Sequence, residues 1–298
     1  MREFSFTVTK EDEGASIKGL LKRHFDFSSR LFAKLKTQKR VLLNDQPLEG
    51  WMNPREGDVI RALMPEEIST FPEEDIPVSP VLDDQDLLII NKQAGYIVHP
   101  TKGHPAHTIA NGVMKYMREH DESFKIRFVN RLDMDTTGLL IMAKNSHAQD
   151  DLTRQMKENG IEKYYIAIVN GIVEEDEFTI DLPIGRADPE KVARQVLTDG
   201  SGRPSITHVK VLERYPRGYS MVELKLETGR THQIRVHMSH IGHPVVGDYL
   251  YGGNNPWLIE RQALHAYKLK FRHPGTGKMT EVTAPLPEDI KKVIETVK

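Results

Sequence analysis

The 298-residue chain contains no cysteine. That absence excludes disulfide stapling and thiolate zinc sites, and nothing asks for an oxidising compartment. No uninterrupted apolar run is long enough to span a bilayer, and the first residues, with Arg2, Glu3 and Glu11-Asp12-Glu13, lack the basic-then-apolar pattern of a secretory signal. A cytoplasmic protein with no membrane partner is expected. Also missing are a phosphate-binding P-loop, the glycine fingerprint of a dinucleotide site, a nucleophile elbow and an H-E-x-x-H helix. Catalysis in such a chain has to rest on its own side chains, so neither a cofactor nor a metal is expected.

What is present is ordinary for a globular protein: 38% hydrophobic and 28% charged residues, in a length that allows two domains or one with an appendage. The formal net charge of -2 argues against a polyanion partner until its distribution is followed. Between Lys22 and Arg40 stand Lys22, Arg23, Arg30, Lys34, Lys36, Lys39 and Arg40 against Asp26 alone, a local excess of about +6. Such a segment is either a solvated helix face or a contact for nucleic acid.

Ile17, Leu20 and Leu21 fall at helical spacing, and Ser28 or Ser29 caps a second helix carrying Leu31, Phe32 and Leu35. Short strands follow: Val41-Leu42-Leu43 runs into an Asn44-Asp45 turn, and Gly57-Asp58 introduces Val59 to Leu63. This order, with Ser29-Arg30 opening a basic helix, resembles the S4 RNA-binding domain. The resemblance implies RNA contacts from Arg30, Lys34, Lys36, Lys39 and Arg40. From Pro65 to Pro80 four prolines and several acids read as an extended linker. The expected division is therefore an S4-like domain over 1–66, a linker over 67–80 and a catalytic domain over 81–298.

In the larger part, Leu87 to Ile90 and Leu139 to Ala143 read as buried strands, and Thr108 to His120 as a helix. Ser146 with Gln149 has capping-box spacing, which places a helix over 147–159 with Gly160 as its stop. Tyr165 to Val169 and Met221 to Leu226 alternate as strands, and Pro287 opens a helix whose apolar face is Ile290, Val293, Ile294 and Val297. Strands outnumber helices. The expected class is α+β, a mixed, largely antiparallel sheet with surrounding helices, plus the small N-terminal αβ domain.

Four features carry potential chemistry. Arg131-Leu132-Asp133 precedes Thr136-Thr137-Gly138 and the apolar run Leu139 to Ala143, so a carboxylate stands at the mouth of a buried strand. Asp133 is either a turn former or an active-site group, because charge beside a buried element is costly unless paired or used. Next, the strand ending at Leu226 breaks at Gly229 and a helix follows, which places Arg230 at a helix N-terminus that favours anions. His232, His237, His240 and His243 are spaced closely enough to consider a metal, but no acid comes before Asp248, and hydrogen-bonding roles are expected instead. Finally, Tyr164 and Tyr165 face opposite sides of a strand, so one can line a cleft.

Taken together, the blocks from Asp86 through Gly95, Val98-His99-Pro100, Arg131-Leu132-Asp133 with Thr136-Thr137-Gly138, Lys163 with Tyr165, Thr228 to His237, Gly242-His243-Pro244, Gly247-Asp248 and Leu264-His265-Ala266 resemble the RluA-type RNA pseudouridine synthases. The resemblance spans roughly Val81 to Pro285. It implies isomerisation of specific uridines in structured RNA to pseudouridine, with ribosomal RNA favoured over transfer RNA and no protein partner required. The reaction is redox-neutral and consumes no water. By resemblance, Asp133 is the catalytic carboxylate, acting by covalent attack or by removing a sugar proton, Arg230 pairs with it, and Tyr165 is the active-site tyrosine. Arg131 is expected to fill the gap left by a flipped base, with Thr137, His232, Gln233, Arg235 and His237 as further substrate contacts. Asn130 stands where the family usually has His, and Gln93 where it usually has Pro. The competing readings are an RNA-binding protein that keeps the fold without catalysis, and a His-dependent metal hydrolase.

Overall fold

The computed structural model describes residues 2–101, 103–186, 188 and 190–298, to which every count below refers. Met1, where the expected first domain begins, lies outside them. The N-terminal unit comprises β1 (Glu3–Thr7), α1 (Ile17–Phe25), α2 (Ser29–Thr37), β2 (Val41–Leu43), β3 (Gln46–Pro47) and β4 (Val59–Leu63). Ser16 and Ser28 start the two helices by accepting hydrogen bonds from the backbone N–H groups of Gly19 and Leu31. Asn44 and Asp45 both hold positive φ, 49° and 64°, the conformation that a tight hairpin needs. One sheet results, in the order β1-β4-β2-β3, with Leu20, Leu21, Leu31 and Leu35 packed on Val41, Ile60 and Ala62. Strand β1 is additional to the elements expected from the sequence, and its alternating Phe4 and Phe6 carry the signal for it.

The larger unit runs β5 (Pro80–Asp83), β6 (Leu87–Lys92), α3 (Ile109–Glu119), β7 (Arg127–Phe128), β8 (Thr137–Ala143), α4 (Ser146–Lys157) and β9 (Glu162–Asn170). It continues with β10 (Glu177–Asp181), β11 (Ile184–Gly185), β12 (Gln195–Val196), β13 (Ile206–Tyr215), β14 (Tyr219–Leu226), α5 (Gln233–His240), β15 (Leu264–Arg272), β16 (Met279–Thr283) and α6 (Glu288–Val297). Ten strands share a sheet in the order β10-β13-β14-β9-β15-β8-β6-β5, with β7 against β8 and β16 against β15. Its pairs are antiparallel except β8 with β15, as expected for a largely antiparallel α+β protein.

Strand β8 is buried along its whole length, which is why it reads as an unbroken apolar run. Leu140 and Met142 face α3, whereas Leu139, Ile141 and Ala143 face α4. Helices α5 and α6 cover β9, β13 and β14 through Ile234, Met238, Ile290 and Val293. Helix α4 is capped one residue earlier than its sequence suggests: Asn145 accepts from the N–H of Ala148 and donates to Asp86 at 2.8 Å, tying the helix start to β6. Its stop comes at Asn159, whose φ is 55°, rather than at Gly160.

Residues 65–79 form no helix or strand, yet they are packed rather than loose. Ser69 Oγ accepts from the N–H of Ile126 at 2.9 Å, Ile76 is buried against α3, and Glu67 pairs with Lys34 and Arg127. The N-terminal unit is also docked directly on the larger one. Asp26 meets Arg154 at 2.5 Å and Arg272 at 3.3 Å, Ser28 donates to Asp150, and the rings of Phe4 and Phe27 close on His147. Arg2 reaches Gln85 and Asp86. These partners lie at the start of β6, along α4 and at the end of β15.

Candidate active site

The opposite ends of those strands build the cleft. Lys92, the last residue of β6, is fully buried, and its Nζ donates to the carbonyls of Gln93, Asp133, Met134 and Thr136 at 2.7 to 3.3 Å. Burial pulls its pKa down to about 7. Arg261 holds the remaining carbonyl of the turn, that of Asp135, at 3.0 Å, and the N–H of Thr136 closes the turn onto Asp133. On the upstream side Asn130 donates to Leu139 O at 3.1 Å and accepts from the N–H of Ile141 at 2.8 Å, which stitches the turn to β8. Gly138 (φ 111°) lets β8 approach β15, since a Cβ there would lie 2.2 Å from the Ala266 carbonyl. The Asp133 backbone is therefore clamped before its carboxylate does anything.

That carboxylate meets Arg235, not Arg230. Arg235 Nη1 donates to Asp133 Oδ2 at 3.1 Å, while its Nε and Nη2 hold both oxygens of Asp248 at 2.6 and 2.8 Å. The expected pairing fails because α5 starts only at Gln233, after His232 takes a left-handed conformation (φ 58°, ψ 21°). Arg230 stays in the preceding loop, where its Nε donates to Pro204 O at 3.2 Å. Arg235, which was expected as a substrate contact, occupies the first helical turn beneath the aspartate. Burial opposes its charge, but the two carboxylates outweigh that and raise its pKa. Asp133 Oδ1 has no hydrogen bond among the described residues and is left to the cleft.

Tyr165 stands over the site from β9, with its pKa raised by burial and then by Asp133, so the hydroxyl stays protonated. His232 lies 3.8 Å from Asp133 and shares a 2.8 Å hydrogen bond with the Tyr251 hydroxyl; burial lowers its pKa and favours the neutral ring. Arg131 is exposed on the rim of a cleft of about 600 Å³ that also reaches Arg230 and Lys163. Arg194 stands near both Arg131 and Arg186, a basic grouping that the sequence did not single out.

Three expected contacts turn inward instead. Gln233 borders the site, but its amide bonds Thr228, Ile206, Thr207 and the N–H of Arg230. His237 is fully buried between Thr207 and Leu182 O, away from His232, and His243 bonds Asn170 O. Thr137 is buried 2.8 Å from His265 Nδ1. Burial drops the His265 pKa from 6.5 to about 4. The unfolded chain thus takes up this proton more readily, and the associated stability is present above pH 6.5 and lost as pH falls towards 4. The loss reaches at most about 3 kcal/mol. Urea unfolding at pH 7 and pH 4 is expected to show a shallower acid loss in His265→Gln than in the wild type; parallel losses would refute it.

The comparisons with known proteins follow this geometry. The RNA pseudouridylate synthase profile matches residues 86–240, a span that contains Asp133, Tyr165 and Arg235. An uncharacterized RNA pseudouridine synthase of Bacillus subtilis (strain 168), YlyB, is 36% identical over 303 residues, covering 100% of this chain and 99% of its own. A ribosomal large subunit pseudouridine synthase D of Neisseria meningitidis serogroup A is 37% identical over 307 residues, covering 98% of this chain and 81% of its own. The solved human RNA pseudouridylate synthase domain containing 1 superposes with a TM-score of 0.58 at 30% identity, over 76% of this chain and 96% of that one. The turn, strand and helix that converge on the cleft all fall within the matched span, and the chain belongs to the RNA pseudouridylate synthase family of RNA-modifying isomerases.

Proposed function

We propose that this isomerase converts uridine in large-subunit ribosomal RNA to pseudouridine, with Asp133 as the group that breaks the glycosidic bond. The observation that carries the role of Asp133 is the division of labour on its carboxylate: Oδ2 is fixed by Arg235, while Oδ1 has no hydrogen bond among the described residues, on an aspartate that lines the cleft. The arginine holds and aims the carboxylate, and the free oxygen either attacks C1′ or removes the C2′ proton. The ring of Tyr165 serves as a platform for the uracil. Its phenol, hard to ionise, takes the C5 proton only while passing its own onward. Arg131, flat and exposed, is placed to fill the stack that the flipped uridine vacates.

The ribosomal target rests on the likeness to the Neisseria meningitidis synthase over nearly the whole chain. Mapping pseudouridines in cells without this protein tests it: the expected loss is at large-subunit RNA, restored by the wild type and not by Asp133→Asn. Loss confined to transfer RNA overturns the target.

For the N-terminal unit, Lys34 is paired with Glu67, and Arg40 donates to Met64 O, so these two brace the junction. Arg30, Lys36 and Lys39 are exposed and are the proposed phosphate contacts. Changing all three to Ala is expected to reduce the salt slope of RNA binding by about 2, read from affinities across a salt series. An unchanged slope removes this helix from the RNA interface.

A further inference from the structure

Two lysines are buried beside the cleft, and their surroundings differ. Lys92 has four carbonyls around its ammonium. Lys163 is 6% exposed, lines the cleft, and its ammonium has no hydrogen-bond or ion-pair partner among the described residues. Val98, Phe128 and Met156 line the same cleft, together with Asp133. Burial alone shifts the Lys163 pKa downward, with no compensating carboxylate. Its stem is buried while its Nζ is accessible, so a partly desolvated cation opens on the cleft without a protein partner, and such a cation is kept where something meets it.

We propose that the Lys163 ammonium holds the uracil anion released when the glycosidic bond breaks, by donating to a carbonyl oxygen of the base. This inference rests on the pseudouridine synthase reading of Asp133. Lys163 and Tyr165 are two residues apart on one face of β9, about 7 Å along the strand, so the ring that stacks on Tyr165 is within reach of Lys163. When N1–C1′ breaks, its electron pair leaves with the base and spreads over N1, O2 and O4. C1′ is meanwhile either bonded to Asp133 or doubly bonded to C2′ after Asp133 has taken the C2′ proton. The base carries one negative charge until C5 bonds to C1′, a step that either breaks the Asp133–C1′ bond or returns the C2′ proton from Asp133; C5 then loses its proton, N1 gains one, and the proton count is unchanged. Lys163 keeps its protons throughout. Arg235 cannot serve here, because its guanidinium is engaged by Asp248 and Asp133.

The test is single-turnover kinetics of the full chain on RNA carrying uridine or 5-fluorouridine at the target position, for wild type, Lys163→Met, Lys163→Arg and Asp133→Asn. Lys163→Met is expected to be about 100-fold slower on uridine, the loss typical of removing one charge-stabilising donor. On 5-fluorouridine, whose fluorine already stabilises the anion, the loss shrinks to about tenfold or less, with KM nearly unchanged. The thermal midpoint of Lys163→Met does not fall, because an unpartnered charge has been removed, and Lys163→Arg recovers part of the rate. Equal losses on both bases with a raised KM place the ammonium on a phosphate and overturn the proposal. A lowered midpoint with equal losses, or Lys163→Arg as slow as Lys163→Met, makes the residue structural and also overturns it. If Asp133→Asn is inactive while Lys163→Met turns over normally, only this inference fails; if Asp133→Asn is active, the parent reading fails.

Discussion

Asp133→Asn is expected to lower pseudouridine formation by about 10³- to 10⁴-fold, the scale of losing a positioned acid-base or nucleophilic group. The fold should scarcely notice. The backbone of the turn is held by Lys92, Arg261 and Asn130, none of which touches the Asp133 side chain. An Asn oxygen can still accept from Arg235, whose main partner, Asp248, is unchanged. The stability cost is then within about 1 kcal/mol, as for a partly exposed ion pair. Product yield after nuclease digestion, measured beside a thermal melt, separates the two quantities. Turnover within tenfold of wild type would remove Asp133 from the chemistry.

Arg235→Met is expected to damage both activity and stability. The Asp248 side chain is completely buried, and the guanidinium holds both of its oxygens. Removing that partner leaves a buried charge uncompensated, at about 3 to 5 kcal/mol. Asp133 loses its anchor in the same step. The double variant Arg235→Met/Asp248→Leu removes both charges, so it should recover most of the stability while remaining inactive, because Asp133 is still unpaired. By contrast, Arg230→Ala gives up one hydrogen bond to a carbonyl, about 1 kcal/mol. Urea unfolding and single-turnover rates check all three. An inactive Arg230→Ala beside a fully active Arg235→Met would reverse the assignment of the partner.

The difference between those two arginines shows where sequence reading stops. Asp133 was legible because a charge beside an unbroken apolar strand has to be explained, and β8 was legible because both of its faces are buried. Which arginine reaches the aspartate depends on where α5 starts, and that start is set by a histidine in a left-handed conformation. No residue type announces such a backbone choice outside glycine and a few others. Thr137, Gln233 and His237 were misread for a related reason: a polar residue in a motif looks the same whether it faces a ligand or satisfies backbone and neighbours inside the fold. Lys92 and Asn130 belong to that inward group too. Docking of the N-terminal unit was also out of reach, since it joins Asp26 to Arg154 and Arg272, far apart in the chain.

That docking fixes the spacing between the N-terminal unit and the cleft. The N-terminal unit rests at the start of β6 and the end of β15, whereas Asp133 stands beside the other ends of these strands. Five or more residues of extended chain separate the two, roughly 20 Å of a sheet that does not stretch. A tethered module would accept any spacing between its own contact and the target base. A seated one works as a gauge: if Arg30, Lys36 and Lys39 contact RNA as proposed, an RNA that engages both places has its uridine at one fixed distance from a second feature.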